Sequence, residues 1–141
     1  MRYELVLAPE AIEDLRKLRT HVRAVVRDAL ETYLRHEPAK TSKSRIKRLR
    51  GVRRPQYRLR VEEIRIFYDV SEGAVEVLAI IPKSQAITRH GKPAGVLVGF
   101  ESEDDWFDYR LENDPRFLQR IESARQSLRS GRGVRLEDIV K

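Results

Sequence analysis

Three arginines have the types and spacing to act together. Arg58 and Arg60 lie two apart in the alternating run Tyr57-Arg58-Leu59-Arg60-Val61. An extended chain therefore sends both guanidiniums to one face and the apolar side chains to the other. Arg65 follows in Ile64-Arg65-Ile66, again set against apolar neighbours. Guanidiniums grip phosphate oxygens two at a time, so the three could converge on one phosphate. They are poor bases, because arginine keeps its proton at any physiological pH. Proton transfer at such a site needs another group, and a lysine whose pKa falls on burial would suit it.

More cations surround this set. Residues 45–61, RIKRLRGVRRPQYRLRV, hold Arg45, Lys47, Arg48, Arg50, Arg53 and Arg54 and no acid. These could contact a nucleic-acid backbone, where they would set affinity more than chemistry. A solvated face or a protein-docking face is the plainer alternative. The net charge of +7 points the same way, toward a polyanionic partner. Residues 1–82 carry 18 Lys and Arg against 12 Asp and Glu, whereas residues 83–141 carry 11 against 10, so the basic excess belongs to the first part.

Other chemistries find little support. With no cysteine there is neither a disulfide framework nor a thiolate metal site. His21, His36 and His90 form no ligand pattern, so no metal and no cofactor is expected. No run of about 18 apolar residues reads as a membrane span, and MRYELVLAPE lacks the layout of a signal peptide. A cytoplasmic location without membrane contact is expected.

The elements that must position the arginines follow from periodicity. Tyr3, Leu5 and Leu7 alternate in an opening strand ended by Pro9. From Pro9 to His36 apolar residues recur at steps of three and four, which predicts a helical hairpin, with Thr20 able to cap its second helix, or one long helix. Three or four strands in a meander should follow, with turns at Glu62-Glu63 and Ser71-Glu72-Gly73. The class is α+β, with helices packed on one face of an antiparallel sheet.

After Pro82 the texture changes. Ile87–Arg89 and Ala94–Val98 could form a hairpin around His90. Glu101 to Asp114 hold seven acids and one base, Arg110, with Trp106, Phe107 and Tyr109 among them. Ser102 with Asp105 resembles a helix-start box, and Asp114-Pro115 is a second helix start. Phe117, Ile121, Ala124 and Leu128 then make one narrow apolar stripe up to Gly131, followed by an extended tail with Val134 and Leu136. Such a segment cannot build its own core. It suits docking on another surface, with its tail added to a sheet edge. The aromatic residues fit protein contact better than base stacking beside so many carboxylates, and those carboxylates complement the basic strands.

Residues 1–85 resemble the RelE/ParE superfamily of bacterial toxins through YELVLAPEA, the helical pair, KRLRG, PQYRLRV, IRIFYDV and VEVLAIIPKS. Residues 87–141 are similar to the later part of Phd/YefM antitoxins, in ITRHGKPAGVLV and in ENDPRFLQRIESARQSLRSGRGVRLEDI, and lack that family's DNA-binding beginning. The resemblance implies a toxin domain, 1–85, joined to a neutralising segment, 86–141, whose Trp106, Phe107, Phe117, Ile121, Leu128, Val134 and Leu136 make the contact. It implies cleavage of messenger RNA on the ribosome, without metal, by attack of a ribose 2′-hydroxyl on the adjacent phosphate. Arg58, Arg60 and Arg65 match the family's basic sheet residues, and Lys83, near the end of the last strand, is the candidate for proton transfer. Ser84-Gln85-Ala86 stands where RelE-type nucleases carry a further arginine and a terminal tyrosine.

That departure keeps a second function open, a ParE-like inhibitor of DNA gyrase without nuclease chemistry. A complex binding operator DNA is the third. The neutralising segment could dock within its own chain, where tethering gives it a high effective concentration, or reach a second molecule in a swapped dimer.

Overall fold

The computed structural model describes residues 2–83 and 103–139. β1 (Glu4–Leu7) leads into α1 (Pro9–Arg16), with Pro9 in the first turn, where its missing N–H breaks no helical bond. α2 (Thr20–Ala29) continues through a π-helical turn at Leu30–Leu34. The hairpin form is therefore present and the single long helix is not. Thr20 does not cap α2. Arg19 holds the capping position with no side-chain bond, and Thr20 Oγ1 instead accepts from Arg23 Nη2 at 3.1 Å.

The meander has four strands, β2 (Ile46–Arg48), β3 (Tyr57–Val61), β4 (Ile64–Ser71) and β5 (Ala74–Pro82). Val61 pairs with Ile64 and Ser71 with Ala74, so both tight turns span two residues. Glu62 at φ 52° and Gly73 at φ 77° supply the left-handed backbone that such turns use. β1 lies parallel to β5, which makes the sheet mixed rather than purely antiparallel.

Beyond the meander, α3 (Glu103–Glu112) and α4 (Pro115–Arg129) are followed by β6 (Val134–Arg135). Asp114 caps α4 by accepting from the Arg116 N–H, and Pro115 follows at the first helical position, as its sequence predicts. Gly131 at φ 77° ends the helix, with Arg132 N–H reaching Ser127 O and Gly131 N–H reaching Leu128 O. β6 pairs antiparallel with β1, giving the sheet order β2-β3-β4-β5-β1-β6. Leu136 is not part of that strand but begins a short 3₁₀ turn, Leu136–Asp138. The predicted hairpin around His90 and the Ser102 helix-start box lie outside the described residues.

Two cores flank the sheet. On one face Leu5, Leu7, Ile66 and Val77 pack with Leu15, Val26 and Leu30 of the helical hairpin. On the other, Phe67, Leu78 and Ala79 meet Phe117, Ile121 and Ala124 of α4. Helices thus cover both faces rather than the one expected, because α4 brings its own apolar stripe to the second face, the same narrow stripe that could not support a core alone. Asp14 ties the layers together, since its carboxylate accepts from Ile80 N–H at 2.9 Å and pairs with Arg120 at 2.6 Å. Burial nevertheless pushes its pKa up, against the pull of Arg120.

Candidate functional site

Alternation on β3 and β4 places Arg58, Arg60, Arg65 and Phe67 on the sheet face that α3 and α4 cover. Arg60 and Arg65 are direct cross-strand partners. Like charges directly opposite repel, and here burial sharpens the conflict, because Arg58 is 4% and Arg65 1% exposed. Buried charges need counter-charges. This surface is therefore stable only with an anion on it.

α3 supplies that anion. Asp104, Asp108 and Glu112 recur every four residues, which lines them along one side of the helix. Asp108 is the centre. Its Oδ1 accepts from Arg65 Nε at 3.0 Å, and its Oδ2 accepts from Arg60 at 2.5 Å and lies 3.3 Å from Arg58 Nη1. One carboxylate thus occupies the focus of three guanidiniums, as a phosphate would. Glu112 adds a bond to Arg58 at 2.5 Å, Asp105 one to Arg60 at 3.0 Å, and Asp104 pairs with Arg65 at 3.0 Å. Arg65 also donates to the carbonyls of Glu62 and Ile64, which fixes its guanidinium, and it lies over the Phe107 ring at 5.6 Å.

Lys83 joins this network rather than standing ready as a base. Its ammonium lies 2.9 Å from Asp104, and that hydrogen bond raises its pKa. The same bond draws Asp104 below its ordinary range. Lys83 is thus held as a cation while α3 is docked, the reverse of the shift that proton abstraction requires. Glu112 moves the other way. Burial raises its pKa, and Arg58 offsets this only in part. Tyr68 is a core residue, its hydroxyl donating to Pro38 O at 2.6 Å, and Tyr57 stacks on it. Among the described residues no group of three or more His, Asp or Glu is arranged to hold a metal ion.

The flanking cations divide. Arg45, Lys47, Arg48, Arg50 and Arg53 are exposed along β2 and the following loop. Arg45 rests on the Tyr33 ring and Arg48 on Tyr57. Arg54 differs, since it turns inward to the Glu112 carbonyl at 3.1 Å and to the Asn113 side chain. It clamps the end of α3.

Of the residues named for contact by the second segment, Phe107, Phe117, Ile121 and Leu136 are buried, and Leu128 and Val134 pack at the core margins. Trp106 stacks on Tyr109 of its own helix and lies under Arg110. Several anchors carry no pattern visible in the sequence. Arg125 grips Asp69 at 2.7 Å and donates to the Val52 and Arg54 carbonyls, while Glu137 reaches the buried Arg35 at 2.8 Å. Arg27 donates to the carbonyls of Leu136 and Ile139. Each joins residues more than 50 positions apart, and only the charges hint at them.

Comparison with known proteins agrees with this architecture. No curated protein matches the sequence. A chain of the toxin-antitoxin complex RelBE2 from Mycobacterium tuberculosis is similar in fold, with 23% identity and a TM-score of 0.51, over 58% of this chain and 99% of that one. A chain of the archaeal RelE-RelB complex from Pyrococcus horikoshii OT3 shows 24% identity and a TM-score of 0.46, over 61% of this chain and 100% of that one. The family model of the ParE toxin of type II toxin-antitoxin systems matches residues 5–87, the span that carries the strand arginines. That match makes the chain a member of the ParE toxin family of type II toxin-antitoxin systems.

Proposed function

We propose that the chain is a translation-blocking toxin whose residues 1–85 bind messenger RNA on the ribosome, and whose residues 86–141 are an antitoxin-like segment that closes the site from within. The observation that carries this reading is Asp108 at the focus of Arg58, Arg60 and Arg65. The same three guanidiniums are suited to a scissile phosphodiester and to the charge that builds on it as the 2′-hydroxyl attacks. Arg45, Lys47, Arg48, Arg50 and Arg53 would then hold the strand through its backbone, with Arg54 joining them once α3 lifts. A partner antitoxin, or the second segment of another copy, would cover the same face in a fully inhibited complex.

A second reading rests on Lys83. With its proton held by Asp104 and its pKa raised, the described residues of the site supply clamps and no evident base. A gyrase inhibitor needs none. The family match carries the ParE description, which favours this reading as well.

The full chain and its Asp108→Ala/Glu112→Ala variant, added to a translation extract, separate the two. Cuts in ribosome-bound messenger RNA by the variant alone support a masked nuclease. A folded variant that leaves messenger intact and yields gyrase-linked DNA breaks would replace the nuclease reading with the second.

A further inference from the structure

Beside the closed arginines a pocket remains open. It has a volume of about 280 Å³, close to the small end of ligand-sized cavities. Lys43, Arg45, Lys47, Arg58 and Arg60 line it, and among its described lining residues Asp105 is the one carboxylate. Lys43 and Lys47 are exposed and make no ion pair with a described residue. Arg58 is buried, and its Nε has no hydrogen-bond partner. A buried guanidinium N–H without an acceptor is costly. The pocket itself offers surplus positive charge from Lys43, Arg45 and Lys47 and room for one phosphate group.

We propose that this pocket binds a phosphodiester of single-stranded RNA while α3 is still docked, and that its occupation loosens α3. The inference rests on the masked-site reading above. Arg60 links the two events. It is shared between Asp105, on the pocket side, and Asp108, at the centre of the site. Asp105 is the more exposed of the two carboxylates on Arg60, with its side chain 42% exposed against 3% for Asp108. A phosphate entering the pocket competes with Asp105 for Arg60, and the helix loses one of its outer bonds. A ligand that binds the loosened state better shifts the population toward it. RNA thus helps to uncover its own site, one phosphate at a time.

Trp106, the single tryptophan of the chain, lies on α3 and reports its position. A dye-labelled oligouridylate is titrated into the full chain at several salt concentrations, with dye anisotropy and Trp106 emission followed together. The expected result is saturable binding that changes Trp106 emission. Lys43→Ala/Lys47→Ala should weaken binding about tenfold and lower the salt slope by about one per lysine. Both lysines are exposed, so the fold should survive.

Binding unaltered by the double variant overturns the pocket, and binding without a change in Trp106 overturns the coupling. Inorganic phosphate that shifts Trp106 as strongly as the oligonucleotide at equal concentration overturns the assignment to an RNA strand. The ribosome is absent from this titration. If the Asp108→Ala/Glu112→Ala variant cuts messenger and the oligonucleotide fails to bind the native chain, the pocket falls and the masked nuclease stands. The reverse outcome removes the nuclease and keeps the pocket.

Discussion

Asp108 donates no hydrogen bond and accepts from Arg65 Nε at 3.0 Å, both side chains being almost wholly buried at 3% and 1% exposure. The same carboxylate neutralises Arg60 and lies beside Arg58, so its removal leaves three guanidiniums short of charge in one place. Asp108→Ala should cost about 3–5 kcal/mol, the penalty of stranding a buried charge. The loss appears first as undocking of α3, because α4 keeps its own apolar seat. Hydrogen exchange should therefore rise across Glu103–Glu112 while β3 and β4 stay protected. Uniform loss of protection across the sheet would contradict this.

The carboxylates of α3 titrate with opposite signs. Asp104 has its pKa lowered from 3.8, chiefly by the hydrogen bond from Lys83. Its contribution is present above 3.8 and is lost as pH falls through the lower folded value. Glu112 has its pKa raised from 4.5 by burial. It favours the docked state below 4.5, and that contribution is lost as pH rises through the raised value. Docking of α3, followed by Trp106 emission, should therefore fall at both ends of the acid range. Asp104→Asn should flatten the low-pH limb and Glu112→Gln the upper one. The same limb abolished by both substitutions would refute the assignment.

Period-two and helical patterns reach the sheet and the hairpin because β3 and β4 alternate, β5 is a nearly continuous apolar run, and α1 and α2 each have one apolar face. They place Arg58, Arg60 and Arg65 on one face for the same reason. β2 is harder to see, since only Ile46 is buried in it and its other side chains are cations. The role of Lys83 depends on Asp104, 21 residues later, and Arg54 is separated from its partner on α3 by a similar gap in logic, since both are basic residues among many. Local sequence says that they are charged. Which carboxylate or carbonyl each one meets is settled only by how α3 crosses the sheet.

Phe117 is the anchor of the second core. Its ring meets Phe67 edge-to-face with centroids 4.7 Å apart, and it is 5% exposed. Phe117→Ala should cost about 3–5 kcal/mol through lost burial and the cavity left between α4 and β4. Urea denaturation measures it. Phe117→Leu, which keeps most of the volume, should recover more than half of the midpoint. Equal losses in both would show that ring geometry, and not volume, seats α4.

Gly133 lies where α4 hands over to β6, and its neighbours leave no space for a side chain. A Cβ there would approach Val6 Cγ1 at 2.6 Å and Leu128 Cδ2 at 2.7 Å. Both contacts fall below any ordinary van der Waals separation, so Gly133→Ala must displace Leu128, or lift β6 from β1. Overpacking of this kind costs about 1–3 kcal/mol. The β6 pairing is only two residues long, Val6 with Arg135 and Leu7 with Val134, and it yields more easily than the buried sheet. Gly133→Ala should therefore release the tail's amides to fast exchange and free Glu137 from Arg35, with β4 and β5 unchanged. Gly131→Ala is the contrasting case. Nothing lies within 4 Å of its added Cβ, yet its φ of 77° disfavours any side chain, so it should weaken the end of α4 by about 1 kcal/mol and leave the β6 pairing intact. Similar exchange patterns in the two variants would mean that backbone strain, not crowding against Val6, holds the tail in register.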